Sequence, residues 1–170
     1  AIVEVVETAG GSIHWTKVGS VDVSRAMVEN GVDFGGEENG GVMYGPHHPT
    51  RDGSMTMALI LGIMAQSGKT LSKLVAELPT YAQAKDKVQC PNELKKKVLE
   101  ALRTKVAAPR VDTMDGLKLV FPDESWILVR PSGTEPIFRL YAEAETQPRV
   151  DKLVAENKKL IEETVRQLSA

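Results

Sequence analysis

The apolar positions of this 170-residue chain change period several times, and each change marks an element. Ile2, Val5, Val6 and Ala9 recur at helical spacing with no capping residue ahead of them, and Gly10-Gly11 stops the run. A chain that opens inside a helix is expected to be a fragment. Ser12 to Val18 alternates, with Ile13 and Trp15 on one face and His14 mid-strand, and predicts a strand. Val21 to Asn30 returns to the helical period with Val23 and Met27 inward, Asn30-Gly31 closes it, and Val32-Asp-Phe34 is a short strand. Two loops follow, Gly35 to Gly41 and Gly45 to Gly53. Asp52 or Ser54 then caps a helix from Ser54 to Gln66 whose Met57, Ile60, Leu61 and Met64 form a stripe expected in the core. Gly68-Lys69-Thr70 ends like a phosphate loop, but the glycine required five positions earlier is Ile63, so Gly68 predicts a helix C-cap. Thr70 caps a short helix, Leu71 to Leu78, and Pro79 stops it.

The organisation changes at Pro79-Thr80, which predicts two domains, 1–79 and 80–170. Tyr81 to Val88 reads as a strand, and Pro91-Asn92 opens a helix through Val106 with Leu94, Val98, Ala101 and Leu102 inward. On that helix Lys95-Lys-Lys97 is expected to be a solvated face. Val111 to Met114 and Leu117 to Pro122 flank Asp115-Gly116, a hairpin signal. Trp126, Leu128 and Arg130 then share one strand face while Ile127 and Val129 share the other, and Phe138, Leu140 and Ala142 alternate with Ile137, Arg139 and Tyr141. Gln147-Pro148 starts a last helix with Val150, Leu153, Val154, Asn157, Leu160, Ile161, Val165 and Leu168 along one stripe. The first domain thus reads as a truncated mixed α/β layer, the second as a two-layer α+β domain with an antiparallel sheet.

Composition narrows the function classes. A net charge of -2 and a pI near 6.0 give no general attraction to nucleic acid or to an anionic membrane, so neither is an expected partner and any anion site must be local. No apolar run reaches the ~20 residues of a membrane span. Cys90 is the single cysteine; it allows no internal disulfide, reads as a small buried hydrophobe and fits a cytoplasmic setting.

Two stretches carry candidate chemistry. In Arg130-Pro-Ser-Gly-Thr-Glu-Pro136 the guanidinium matches two phosphate oxygens, Ser132 and Thr134 offer hydroxyl donors, and Gly133 permits the positive φ that turns successive amides inward as an anion cradle. Glu135 has no role beside an anion and is pointed outward, towards Arg139. A hairpin turn of ordinary surface polarity accounts for the same residues, and the two readings stand side by side. In Gly35-Gly-Glu-Glu-Asn-Gly-Gly41, Glu37 and Asn39 alternate onto one side and suit a pair of sugar hydroxyls. A metal site, an acid/base pair or a plain glycine-rich loop are the alternatives, although no third metal ligand is near. His47-His48 sits in a loop without converging ligands and is expected to be solvated.

The first stretch resembles the C-terminal phosphate-binding loop of the alpha-D-phosphohexomutases, which include phosphomannomutase, phosphoglucomutase and phosphoglucosamine mutase. The resemblance implies that Arg130, Ser132, Gly133 and Thr134 hold a substrate phosphate. Gly36-Glu-Glu-Asn-Gly-Gly41 resembles the family's sugar-recognition loop, usually Gly-Glu-X-Ser-Gly-His, with Glu37 at the acidic position, Asn39 for the serine and Gly41 for the histidine. Lys17-Val-Gly-Ser20 resembles another active-site turn, with Ser20 where some relatives carry a ligand histidine. The resemblance covers essentially the whole chain, as most of the family's third domain and all of its fourth. It implies a parent phosphoprotein of carbohydrate metabolism that interconverts hexose 1- and 6-phosphates through a phosphoserine and a bisphosphate. The nucleophile loop and the magnesium-binding aspartates would lie in further domains of that parent, which become partners of this chain together with the phosphosugar. No Ser-His-Asn-Pro-like loop and no Asp-Gly-Asp run occurs here, so the chain alone is expected to be inactive. A stand-alone phosphosugar-binding module without catalysis, or a structural module whose loops bind nothing, are the competing readings.

Overall fold

The computed structural model describes residues 1–106 and 108–169, and the chain divides into two units, Ala1–Pro79 and Thr80–Ala170. Ala107 and Ala170, both within the expected second domain, lie outside the described residues.

The first unit runs α1 (Ile2–Thr8), α2 (Ser20–Asn30), β1 (Phe34–Gly36), β2 (Val42–Tyr44), β3 (His48–Arg51), α3 (Gly53–Ser67) and α4 (Leu71–Ala76). The three strands form an antiparallel meander in chain order, with Gly36 paired to Val42 and Met43 to Arg51. Val23 and Met27 of α2 bury against Met43, with Val32 beside them. Gly31 ends α2 in the left-handed region at φ 63°, and its amide donates to the Met27 carbonyl. Asp52 caps α3, its carboxylate accepting from the Met55 amide at 2.9 Å, and Gly68 closes that helix at φ 65°.

Four expectations for this unit need correction. Ser12 to Val18, His14 included, is not a strand: among the described residues no strand runs beside it to complete a ladder. The short strand expected at Val32 to Phe34 is shifted to Phe34–Gly36. The loop expected at Gly45 to Gly53 contains β3, formed because His48–Arg51 folds back on Val42–Tyr44 across a register irregularity. The stripe on α3 is not a core: Met57, Ile60 and Leu61 are exposed, and α3 is apolar around its whole circumference, so periodicity does not single out one buried face.

The second unit runs β4 (Ala82–Gln89), α5 (Lys95–Lys105), β5 (Arg110–Asp112), β6 (Leu117–Val120), β7 (Trp126–Pro131), β8 (Ile137–Ala144) and α6 (Gln147–Ser169). The strands form one antiparallel sheet in the order β4-β8-β7-β6-β5. Ile127 and Val129 of β7 and Phe138 and Leu140 of β8 point into a core completed by Val98 and Leu102 of α5 and by Val150, Leu153 and Ile161 of α6. Each fully buried side chain of this kind contributes roughly 1.5–3 kcal/mol relative to exposure. Trp126, Leu128 and Arg130 lie half-buried on the other face, as alternation requires. Buried Asn157 and Thr164 satisfy their side chains by bonding back to the carbonyls of Leu153 and Leu160.

Two local devices fix this unit. Gly116, at φ 99° in the β5–β6 turn, passes so close to β7 that an added Cβ would stand 2.5 Å from the Val129 carbonyl oxygen and 3.0 Å from the Arg130 Cα. Asp86 on β4 accepts from Lys158 of α6 at 2.8 Å, and this bond, with the Lys87 amide, holds its carboxyl below the ordinary value of 3.8. Gly116→Ala is expected to cost about 2–3 kcal/mol, read as a lower urea midpoint by Trp126 fluorescence in a Trp15→Phe background. Because the Asp86 carboxyl is lowered on folding, its contribution is complete above pH 3.8 and is lost as pH falls through the lower folded value. Asp86→Asn should therefore remove roughly 0.5–1 kcal/mol at neutral pH and flatten the acid limb of the stability profile in a pH series of urea titrations.

Candidate functional site

The segment from Arg130 to Pro136 joins β7 to β8, so both ends are held by the central strands of the five-stranded sheet. Arg130 is the penultimate residue of β7 and lies directly opposite Arg139 on β8. Two like charges so placed repel each other, and each is met by a carboxylate. The Arg130 Nε donates to Asp115 at 2.7 Å, a bond that uses one of the five guanidinium donors, and the Arg130 side chain is 22% exposed. Arg139 pairs with Glu135, the partner expected from the sequence; hydrogen bonding to Tyr141 and then to Glu135 raises its pKa.

Within the loop, Ser132 is the organising residue. It is buried, its amide donates to the Ile137 carbonyl at 3.0 Å, and its Oγ accepts the amides of Thr134 at 3.4 Å and Glu135 at 3.2 Å. A hydroxyl that accepts two amides keeps its own proton to donate, and the two bonds polarise it. The amides of Thr134 and Glu135 therefore converge on Ser132, whereas the sequence reading turned them towards a ligand. Gly133 also departs from expectation. It is exposed, its φ is not positive and a Cβ there would meet open space, because the turn is closed by the Ser132 hydroxyl and needs no left-handed residue. Thr134 is exposed beside it.

Lys95, read from sequence as part of a solvated basic face, instead reaches the loop from the first turn of α5. Its ammonium donates to the Ser132 carbonyl at 2.6 Å and to the Glu135 carbonyl at 2.5 Å. The Cys90 amide adds a third tie, to the Pro136 carbonyl at 2.8 Å. Cys90 itself is buried, which pushes its thiol pKa up. Asp115 and Lys95 are the residues that sequence reasoning missed. The Asp115-Gly116 signal marked the hairpin that delivers the carboxylate, but nothing in a one-dimensional pattern pairs position 95 with position 132.

The second candidate stretch is the tip of the β1–β2 hairpin in the first unit. Glu37 and Gly41 face each other through the Glu37 amide and the Gly41 carbonyl at 2.8 Å, and Gly40, at φ 87°, donates to the Glu37 carbonyl. The alternation expected to align Glu37 with Asn39 does not apply, since residues 38–40 turn. Asn39 instead closes the turn, its Oδ1 accepting from the Gly41 amide at 3.0 Å. The Glu37 side chain is 8% exposed, and its Oε2 lies 3.4 Å from the Arg51 Nε without a hydrogen-bond partner among the described residues. A buried carboxylate oxygen in that state is short of one donor. Arg51, from the segment read as a loop, is a further residue missed in the sequence. A Cβ at Gly41 would collide with the Arg51 Cδ, so the arginine stem occupies the space that a larger residue at 41 would need. Ser20, half-buried, is the first residue of α2, directly after the Gly19 N-cap.

His47 stands 3.5 Å from Asp52, whose carboxyl is lowered chiefly by the Met55 amide, and His48 is exposed on β3. Among the described residues no three His, Cys, Asp or Glu side chains converge as metal ligands, and no helix is long and apolar enough to cross a membrane.

Comparison with known proteins places both units of the chain in one family. Residues 1–81 match the family model for phosphoglucomutase/phosphomannomutase, alpha/beta/alpha domain III, and residues 71–160 match that for the phosphoglucomutase/phosphomannomutase C-terminal domain. A probable phosphoglucosamine mutase of Methanopyrus kandleri is 41% identical over 152 residues, covering 88% of this chain and 33% of that protein. A phosphoglucomutase/phosphomannomutase of Thermococcus kodakarensis is 41% identical over 166 residues, covering 96% and 36%. The crystal structure of a phosphoglucomutase/phosphomannomutase family protein from Burkholderia thailandensis superposes with a TM-score of 0.80 at 25% identity, over 96% of this chain and 35% of that one. The chain thus spans about a third of the length of the relatives it matches. It belongs to the phosphoglucomutase/phosphomannomutase family, matching the third and the C-terminal domains of that fold.

Proposed function

We propose that this chain is the substrate-recognition portion of a cytoplasmic mutase that interconverts the 1- and 6-phosphates of mannose, glucose or glucosamine. The observation that carries this reading is the Arg130–Pro136 loop, in which a guanidinium and a buried, doubly amide-bonded hydroxyl are held two residues apart on one hairpin. Arg130 takes two phosphate oxygens through its terminal nitrogens while Asp115 holds the Nε. Ser132 donates its remaining proton to the anion, and Gly133 and Thr134 offer an amide and a hydroxyl from the exposed rim. Because Asp115 and the strand pairing set the guanidinium beforehand, little side-chain entropy is lost on binding.

Glu37 is the group that recognises the sugar. Its carboxylate has an oxygen short of one donor and accepts from a sugar hydroxyl, and Arg51 sets a positive charge 3.4 Å away without forming a hydrogen bond to it. Asn39 contributes its amide nitrogen, its oxygen being engaged in the turn, and Ser20 a hydroxyl. A clamp that reads phosphate and a turn that reads hydroxyls, neither reading which end of the hexose is phosphorylated, suit a reaction whose bisphosphate intermediate must bind in two orientations. The phosphoserine and the magnesium site belong to parts of the parent beyond these residues.

Two measurements test the proposal. The 170-residue chain alone should not turn over glucose 1-phosphate, and measurable mutase activity from it contradicts the assignment of catalysis to other domains. In the full-length enzyme Arg130→Ala should raise KM and lower kcat/KM by roughly 10- to 100-fold, since a clamp lost from ground and transition state alike mainly weakens binding. An unchanged kcat/KM would remove Arg130 from the site.

A further inference from the structure

We infer that Lys95 is a positioning residue of the phosphate loop: by holding the carbonyls of Ser132 and Glu135 it turns the Gly133 N–H outward as the loop's free donor to the anion. This rests on the reading of Arg130–Pro136 as a phosphate site, and it assigns a part to a residue outside that motif.

A trans peptide is planar, so the carbonyl of one residue and the amide of the next point in opposite directions. The Lys95 ammonium holds the Ser132 carbonyl at 2.6 Å, which sends the Gly133 N–H away from α5. Around it the loop's other amides are committed: Ser132 to the Ile137 carbonyl, and Thr134 and Glu135 to the Ser132 hydroxyl. Pro131 and Pro136 carry no N–H. Among the described residues Gly133 is thus the amide of this loop left for a ligand, and the residue is exposed.

The second half of the contact removes a repulsion. The Glu135–Pro136 peptide can present only a carbonyl, whose negative end would oppose a phosphate. That carbonyl is taken by Lys95 at 2.5 Å and by the Ile137 amide at 2.8 Å. Lys95 is well placed for such a tie because α5 is anchored by buried Val98 and Leu102, while the Cys90 amide fixes Pro136 just ahead of the helix. A flexible surface lysine would serve neither purpose.

The test is a titration of the 170-residue chain with inorganic phosphate, followed by amide NMR at Gly133, with thermal unfolding recorded in parallel. Phosphate should shift the Gly133 amide, Lys95→Met should weaken binding about tenfold with a small change in Tm, and Lys95→Arg, which can still donate to two carbonyls, should recover most of it. Gly133→Pro, which deletes the N–H and at the same time fixes φ, should weaken binding at least as much. If phosphate binds and Arg130→Met abolishes it, while Lys95→Met binds as the unmodified chain does, Lys95 has no positioning role. If phosphate binds nowhere on the loop, the anion reading falls and the Lys95 role with it. Should Lys95→Met fail to fold, undiminished binding by Gly133→Pro overturns the proposal on its own.

Discussion

The second domain depends on an arrangement that a sheet ordinarily avoids, two arginines directly opposite each other on its central strands. Arg130 and Arg139 are register partners, and Lys87 lies next in the same row across β4. Like charges facing across a ladder cost stability, so the row persists only because carboxylates are brought to it. Asp115 comes from the neighbouring hairpin and Glu135 from the loop itself. The positive field at this end of the sheet is thereby concentrated, locally compensated and held still in a protein of net charge -2.

The surrounding scaffold limits how far those groups can move. Gly116 allows the β5–β6 turn to lie against the Arg130 backbone, which sets Asp115 within reach of the guanidinium. Buried Ile127, Val129, Phe138 and Leu140 pin both strands to α5 and α6, so the loop between them spans a fixed distance. Functional groups on such elements are more closely placed than groups on a free loop.

What the sequence disclosed follows from whether the cause was local. The alternation in β7 and β8, the Asp-Gly turn, the Gly31 and Gly68 stops and the stripe of α6 are short-range signals, and the structure repeats them with shifts of a residue or two. Ser12–Val18 and β3 were misjudged because a strand exists only through its neighbour, and neighbours are not written in a local pattern. At the candidate sites the motif residues were legible, but the groups that hold them were not: Lys95, Asp115 and Arg51 each act across a tertiary contact. The motif predicts a left-handed Gly133, and the structure differs because the Ser132 hydroxyl also accepts the Glu135 amide and closes the turn.

The hairpin tip of the first domain shows how a departure from the family's motif is absorbed. Where the pattern carries a histidine, this chain has Gly41, and the Arg51 stem fills the vacated space while its Nε lies 3.4 Å from Glu37. An imidazole changes charge between about pH 5 and 8, whereas a guanidinium stays cationic throughout that range. The countercharge beside Glu37 is thus carried by a long side chain from another strand, so a change at position 51 would reach the hairpin tip through packing and charge at once.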